Sequence, residues 1–198
     1  MATPQFDLEM DQGADFDVTF HWYAGGVNRA PIEDIRLGYP TQIKVTNHGL
    51  PTVSNTPVII SDVEGLTNLN SSNLAIHEAE YVDTDWFEMP VNTTGKEWVP
   101  GTGAITWHSP QDLTNFTARC KIRPKWYSAT VLAELTTENS GITLRVEDAL
   151  ISLHLDAAAT ELLDFHKAVY DVELISPGGA VTRVVKGVIT MSREITYT

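Results

Sequence analysis

One cysteine, Cys120, occurs in 198 residues, which excludes an intrachain disulfide. Positive charge is scarce as well. Thirteen Lys and Arg stand against 26 Asp and Glu, a formal net charge of −13 with a pI near 4.7. Adhesion to a phosphate backbone needs clustered cations that release counterions, so nucleic acid is not an expected partner. Long apolar runs are missing: no stretch approaches the roughly 20 apolar residues of a membrane-spanning helix, and no membrane association is expected. The opening residues Met1 to Asp7 lack the basic and apolar regions of a secretory signal. The expectation is a protein made in a cytoplasm, where the three Asn-x-Ser/Thr matches at Asn70, Asn92 and Asn115 meet no glycosylation machinery.

Signatures of catalysis are absent too. The sequence contains no Gly-x-Ser-x-Gly, no phosphate-cradling glycine loop and no His-Glu-x-x-His, and its six histidines, at 21, 48, 77, 108, 154 and 166, are scattered. Asp164 and His166 are close neighbours, but they follow a short helical segment where polar surface is expected. No catalytic residue, metal site or cofactor is expected. Asp15, Asp17, Thr19 and His21 share one face of a strand pattern and invite a metal reading. Alternate residues of a strand stand roughly 6.5 to 7 Å apart, too far to clasp an ion without further ligands, so a solvated face is the preferred account.

What the chain does contain is period-two alternation, separated by turn residues. Phe16, Val18, Phe20 and Trp22 alternate after a break at Asp11-Gln12-Gly13. Phe116, Ala118, Cys120 and Ile122 face one way while Thr117, Arg119, Lys121 and Arg123 face the other, which makes Cys120 a small buried hydrophobe. Ile142 to Val146 and Ala149 to Leu155 read as two more strands, and Ser192 to Thr198 as a further edge strand. The clearest unit is Ala168 to Thr190, two alternating runs around Ser176-Pro177-Gly178-Gly179. Pro177 presets φ for a tight turn and Gly179 can take the positive φ of a one-residue bulge. The register expected places Leu174 opposite Thr182, Glu173 opposite Arg183, Val172 opposite Val184 and Asp171 opposite Val185. One short helix is expected after Asp156, which can cap it, with Ala158, Ala159, Leu162 and Leu163 on its buried face.

Residues 40–107 differ in texture. Short β-like runs, Gln42 to Thr46, Pro57 to Ser61, Leu74 to Tyr81, Trp86 to Met89 and Ala104 to Trp107, are bounded by Asn, Gly, Pro or Ser. They suggest a small β-barrel, whereas Ala24 to Pro40 reads as a turning linker. The expected organisation is all-β: residues 1–39 and 108–198 form an antiparallel β-sandwich with one short helix, interrupted by an inserted small β-barrel at 40–107.

Leu113 to Arg119, Leu132 to Ile142 and Ala168 to Leu174, continuing through Val181-Thr182-Arg183, resemble a family of tailed-bacteriophage virion proteins. The core is similar to the N-terminal attachment domain of siphophage upper baseplate proteins. The insert, through Val45 to Leu50, Ile60 to Asn70 and Gly101 to Ala104, resembles a recurrent phage module akin to the small β-barrel half-domain of ubiquitin-activating enzymes. The resemblance implies a non-enzymatic virion structural protein in the tail, at the collar, adaptor or fibre and baseplate attachment region. Such a protein assembles in multiple copies, as a homo-oligomer in a symmetric ring, and its partners are other phage virion proteins. Its expected location is the virion, after synthesis in the host bacterial cytoplasm. Capsid head decoration is the alternative, and a glycan-binding receptor-recognition module a third possibility. Candidate protein-contact residues are Trp86, Phe87, Trp98 and Trp126, since aromatic side chains anchor interfaces or fill small cores. Trp86-Phe87 beside Asp83 and Asp85 could alternatively stack on a sugar.

Overall fold

A computed structural model describes residues 3–23, 26–53, 55–72 and 76–195. Its strands are β1 (Leu8–Asp11), β2 (Phe16–His21), β3 (Val27–Pro31), β4 (Asp34–Arg36), β5 (Thr41–Lys44), β6 (Thr56–Ser61), β7 (His77–Tyr81) and β8 (Trp86–Met89). They continue with β9 (Ala104–His108), β10 (Thr117–Arg123), β11 (Ala133–Thr136), β12 (Ile142–Arg145), β13 (Leu150–Leu155), β14 (Lys167–Ile175) and β15 (Val181–Ser192). A five-residue helix, α1 (Ala157–Glu161), and a 3-10 turn at Thr67–Leu69 are the helical pieces among the described residues. The chain is all-β, and it divides into two compact units, Met1–Trp22 with Leu113–Thr198, and Tyr23–Asp112. The second unit therefore takes in residues 23–39 and 108–112, which the sequence placed with the sandwich.

The first unit packs a five-stranded sheet, in the order β1-β15-β14-β10-β11, with a three-stranded sheet, β12-β13-β2. Strict alternation puts every second residue of each strand inward. Phe16 from β2, Ile122 from β10, Ile151 from β13, and Tyr170 and Leu174 from β14 belong to one core, with Trp22 packed against it. Burial of each large apolar side chain stabilises by about 1.5–3 kcal/mol. The N-terminal and C-terminal strands are thus held together by a shared interior.

One strand departs from the antiparallel expectation. β1 runs parallel to β15, with Leu8 beside Ile189 and Met10 beside Met191. The segment before it continues the pairing: Phe6 N donates to Lys186 O at 2.9 Å, and Lys186 N donates to Pro4 O at 3.1 Å. The Tyr170 hydroxyl donates to Phe6 O at 2.8 Å. Gly187 permits this approach, because a Cβ there would overlap the Phe6 carbonyl. A parallel edge needs no tight hairpin, and β1 reaches its neighbour from the far end of the chain, which short-range signals do not report.

The β14–β15 hairpin turns through Gly179 at φ 82°, with Gly179 N donating to Ser176 O at 2.8 Å and Ser176 N to Ala180 O at 2.9 Å. Leu174 faces Thr182 and Glu173 faces Arg183 as expected. Beyond them a β-bulge between Val172 and Glu173 shifts the register, so Val172 lies opposite Val185 and Asp171 opposite Lys186. The correction has a packing cause: Val184 and Val185 are both buried, and an extra residue lets consecutive apolar side chains avoid solvent.

Asp156 caps α1, its Oδ1 accepting from Ala159 N at 2.7 Å. The buried face matches expectation only in part: Leu163 is buried, but Thr160 joins it while Ala158 is exposed and Leu162 is 86% exposed. Polar tethers set this orientation. Thr160 Oγ1 donates to Ala14 O at 2.7 Å, and Ala157 N donates to Asp15 Oδ1 at 2.8 Å. The proposed edge strand Ser192 to Thr198 is not seen in residues 193–195, and 196–198 lie outside the described residues.

The second unit is a seven-stranded antiparallel sheet in the order β3-β9-β6-β7-β8-β5-β4. Its first and last strands are consecutive in the chain. The segment pairs with β9 along β3, then changes partner, with Ile32 N donating to Gly103 O and Glu33 N to Lys44 O, both at 3.0 Å. The consecutive strands β3 and β4 thereby supply both edges and curl the sheet into a barrel, which leaves no long free edge among the described residues. Gly103, at φ 98°, sits where a Cβ would meet Val63 and Ile32. The five runs read from 40–107 correspond to β5 through β9, although β7 begins at His77 and residues 73–75 lie outside the described residues. The linker reading of 24–40 is corrected to β3 and β4. Their three- and five-residue lengths, broken by Pro31 and Gly38, carry too few apolar positions to show a period.

Candidate contact surface

The site begins with β10. Its inward residues Ala118, Cys120 and Ile122 are fully buried, which obliges Arg119, Lys121 and Arg123 to face out. Burial also pushes the Cys120 thiol far above its ordinary range, so it is an inert core group rather than a nucleophile. Outside, the cations meet acids from neighbouring strands: Arg119 contacts Glu173 at 2.7 Å, Lys121 contacts Glu134 at 3.0 Å, and Arg183 contacts Asp171 at 2.9 Å.

Arg123 does something else. Its guanidinium donates to Ser128 O at 2.7 Å and Ala129 O at 3.0 Å. Pro124 can donate no ladder hydrogen bond, and the chain leaves the sheet, returning where Leu132 N donates to Ile122 O at 2.8 Å. Within the loop, Ser128 N donates to Lys125 O at 3.0 Å, and Thr130 N to Ser128 Oγ at 3.1 Å. These bonds hold up two aromatic rings, Trp126 at 55% and Tyr127 at 83% exposure. Lys125 Nζ lies 5.9 Å from the Tyr127 ring centre, near the outer limit of cation–π range. Among the described residues neither Arg123 nor Lys125 has a carboxylate partner.

The other expected contact residues are placed differently. Phe87 is fully buried and meets the His48 ring edge-on at 5.6 Å. Trp86 is 9% exposed, and Arg36 stacks on it at 3.8 Å. Trp98 is half-buried against the barrel core, its Nε1 donating to Thr102 O at 3.3 Å. A flat sugar-stacking platform at Trp86-Phe87 is therefore corrected. On β8 the two rings turn to opposite faces, Phe87 into the barrel core and Trp86 under the Arg36 guanidinium, and Asp83 accepts from Asp85 N and Trp86 N to shape the preceding turn. Of the four, Trp126 is the one that stands mostly in solvent.

The strand face that invited a metal is occupied by structural bonds. Asp15 accepts from the first turn of α1, Asp17 bonds His154 Nδ1 at 2.8 Å, and His21 lies 3.9 Å from Asp148. No group of three or more His, Cys, Asp or Glu able to hold an ion occurs among the described residues. Asp164 accepts from Arg193 at 2.6 Å rather than from His166.

On the barrel, β7 and β8 present a second surface. Glu78 and Glu80 alternate outward from β7, and Glu80 lies directly opposite Glu88 on β8. Gln42 donates to Glu88 at 3.1 Å. Among the described residues no cation pairs with any of these three carboxylates. They line an open groove of about 310 Å³ with Tyr39, Pro40 and Pro90, and Tyr39 is 68% exposed.

Lys125, Tyr127 and the glutamate groove are absent from the sequence-derived candidates. A signal for the first pair exists: cations at 119, 121, 123 and 125 followed at once by Trp-Tyr. The groove has none, because Tyr39 and Glu80 meet only when the barrel closes. No protein-family model matches the chain, and no curated protein matches it.

Proposed function

We propose that the chain is a non-enzymatic structural protein of a tailed-bacteriophage particle, assembling in multiple copies at the collar, adaptor or fibre and baseplate attachment region of the tail. The supporting observation is the loop after β10. Hydrogen bonds hold the loop 124–131 so that Trp126 and Tyr127 remain in solvent, an arrangement that exposes apolar area to water. Rigid aromatic side chains flanked by cations are the usual anchors of protein interfaces, and prior immobilisation lowers the entropy lost on docking. Net charge of −13 keeps copies soluble until they meet a complementary surface.

The test is capture of tail proteins from phage lysate fractions by the full chain and by Trp126→Ala/Tyr127→Ala. Retention of defined tail components by the parent, with at least tenfold weaker retention by the variant, is the expected result. Retention of capsid proteins instead would favour head decoration. Exposed Trp126 and Tyr127 also suit sugar stacking, so a glycan array probed with the same two proteins decides the receptor-binding reading. Binding that disappears with the two rings would replace the assembly reading.

A further inference from the structure

Two surfaces of this chain are each incomplete and complement each other. On the barrel, Glu80 and Glu88 are cross-strand neighbours of like charge, an arrangement that destabilises a sheet, and Glu78 adds a third carboxylate to the groove. Arg36, which pairs with Gln42 on β5, is engaged by other groups. It donates to Gln42 Oε1 at 3.2 Å and stacks on Trp86. On the sandwich, Arg123 and Lys125 have no acidic partner among the described residues, in a chain with twice as many acids as bases, and they immediately precede the exposed Trp126-Tyr127 pair.

We infer that the loop 124–131 of one copy docks in the Tyr39/Glu80/Glu88 groove of a second copy. Lys125 meets the opposed carboxylates, while the aromatic rings lie against Tyr39, Pro40 and Pro90. The inference rests on the assembly reading and specifies its self-contact. Because loop and groove are different patches, the contact is head-to-tail. Each copy then keeps one free loop or groove until a ring closes. Desolvating the Glu80/Glu88 pair beside a cation converts a repulsion within the barrel into an attraction between copies, and the interaction should weaken as salt screens it.

The experiment is sedimentation velocity of the full chain over a concentration series at low and high salt, with Lys125→Glu, Glu80→Lys and the double variant. Glu80 is exposed, and a lysine there faces Glu88, so the barrel is expected to fold; circular dichroism verifies it, and Glu88→Gln serves as the milder second variant. The parent is expected to self-associate, less so in high salt. Either single reversal should raise the dissociation constant at least tenfold, and Glu88→Gln should raise it less. An equimolar mixture of the two single variants should recover association, and the double variant should recover part of it, because Glu88 shares the lysine placed at position 80. In the mixture one junction joins two unchanged surfaces, and that junction carries the recovery. Self-association indifferent to the reversals would overturn the inference and leave assembly through another contact. A mixture that fails to recover would overturn it as well. If the parent stays monomeric, self-docking is wrong; if Trp126→Ala/Tyr127→Ala also leaves tail-protein capture unchanged, the assembly reading falls with it.

Discussion

Arg145 reaches forward three residues to hold Asp148, its Nε and Nη2 donating to the two carboxylate oxygens at 2.8 and 2.6 Å. The Asp148 side chain is completely buried while Arg145 is 42% exposed. This fork closes the turn between β12 and β13, where Ala149 adopts φ 54°. Hydrogen bonding to Asp148 raises the Arg145 guanidinium above its ordinary range, so it stays charged at any working pH. Arg145→Met keeps the stem and deletes the fork, taking the bidentate cation from a buried carboxylate that retains His21 nearby at 3.9 Å. The expected loss is about 2–3 kcal/mol, below the 3–5 of a fully buried pair because water reaches the arginine. Urea denaturation of the parent and variant checks it; a change under ~0.5 kcal/mol would contradict the role given to Asp148.

Gly187→Ala should damage the parallel β1 edge selectively. A methyl at this position strikes the Phe6 carbonyl and crowds Tyr170 Cε1 at 3.0 Å. Loss of the Tyr170 to Phe6 hydrogen bond and overpacking together should cost about 2–4 kcal/mol. Amide exchange of residues 186–191 should accelerate more than that of β10, and uniform acceleration would point to a global rather than an edge effect.

Phe87→Ala and Trp126→Ala should separate core from surface. Phe87 is wholly enclosed, so its truncation should cost about 3–5 kcal/mol. Trp126, more than half exposed, should change stability by less than ~1 kcal/mol. Thermal melts of both variants read this directly, and a Trp126 loss as large as that of Phe87 would show the loop to be part of the core.

His154 should make stability fall as pH rises. Its hydrogen bond to Asp17 raises the imidazole above its ordinary range, and the charges of Asp17, Asp15 and Asp156 act in the same direction. A raised folded-state value means that the contribution is complete below the unfolded midpoint of about 6.5 and vanishes as pH climbs through the folded one. Proton resonances of His154 should titrate above those of a free histidine, with Asp17→Asn moving the midpoint down. An unchanged midpoint in that variant would assign the shift to some other group.

Local signals carried the strands, because alternation is a property of neighbouring residues. Ser176-Pro177-Gly178-Gly179 specified its own turn and the first pairs beyond it, and Asp156 specified the start of α1. The same kind of signal was silent at Val184-Val185, where the bulge depends on what lies beneath the sheet. It was misleading at Trp86-Phe87, since two adjacent aromatic residues look like a platform, whereas Phe87 turns into the barrel core and Arg36 covers Trp86 on the opposite face. Trp126 looks similar in sequence, yet Pro124 and Arg123 lift it off the sheet.

By itself the chain order of apolar and polar residues determined that this protein is built of strands and which faces of them turn inward, because that demand is set by water and needs no distant partner. Only the tertiary structure decided that β1 runs parallel to β15, that β3 and β4 supply the two edges of the barrel, and that Glu80 confronts Glu88. Each of these brings together residues far apart in the chain, and their meeting depends on how whole sheets curve and pack rather than on any short stretch of sequence.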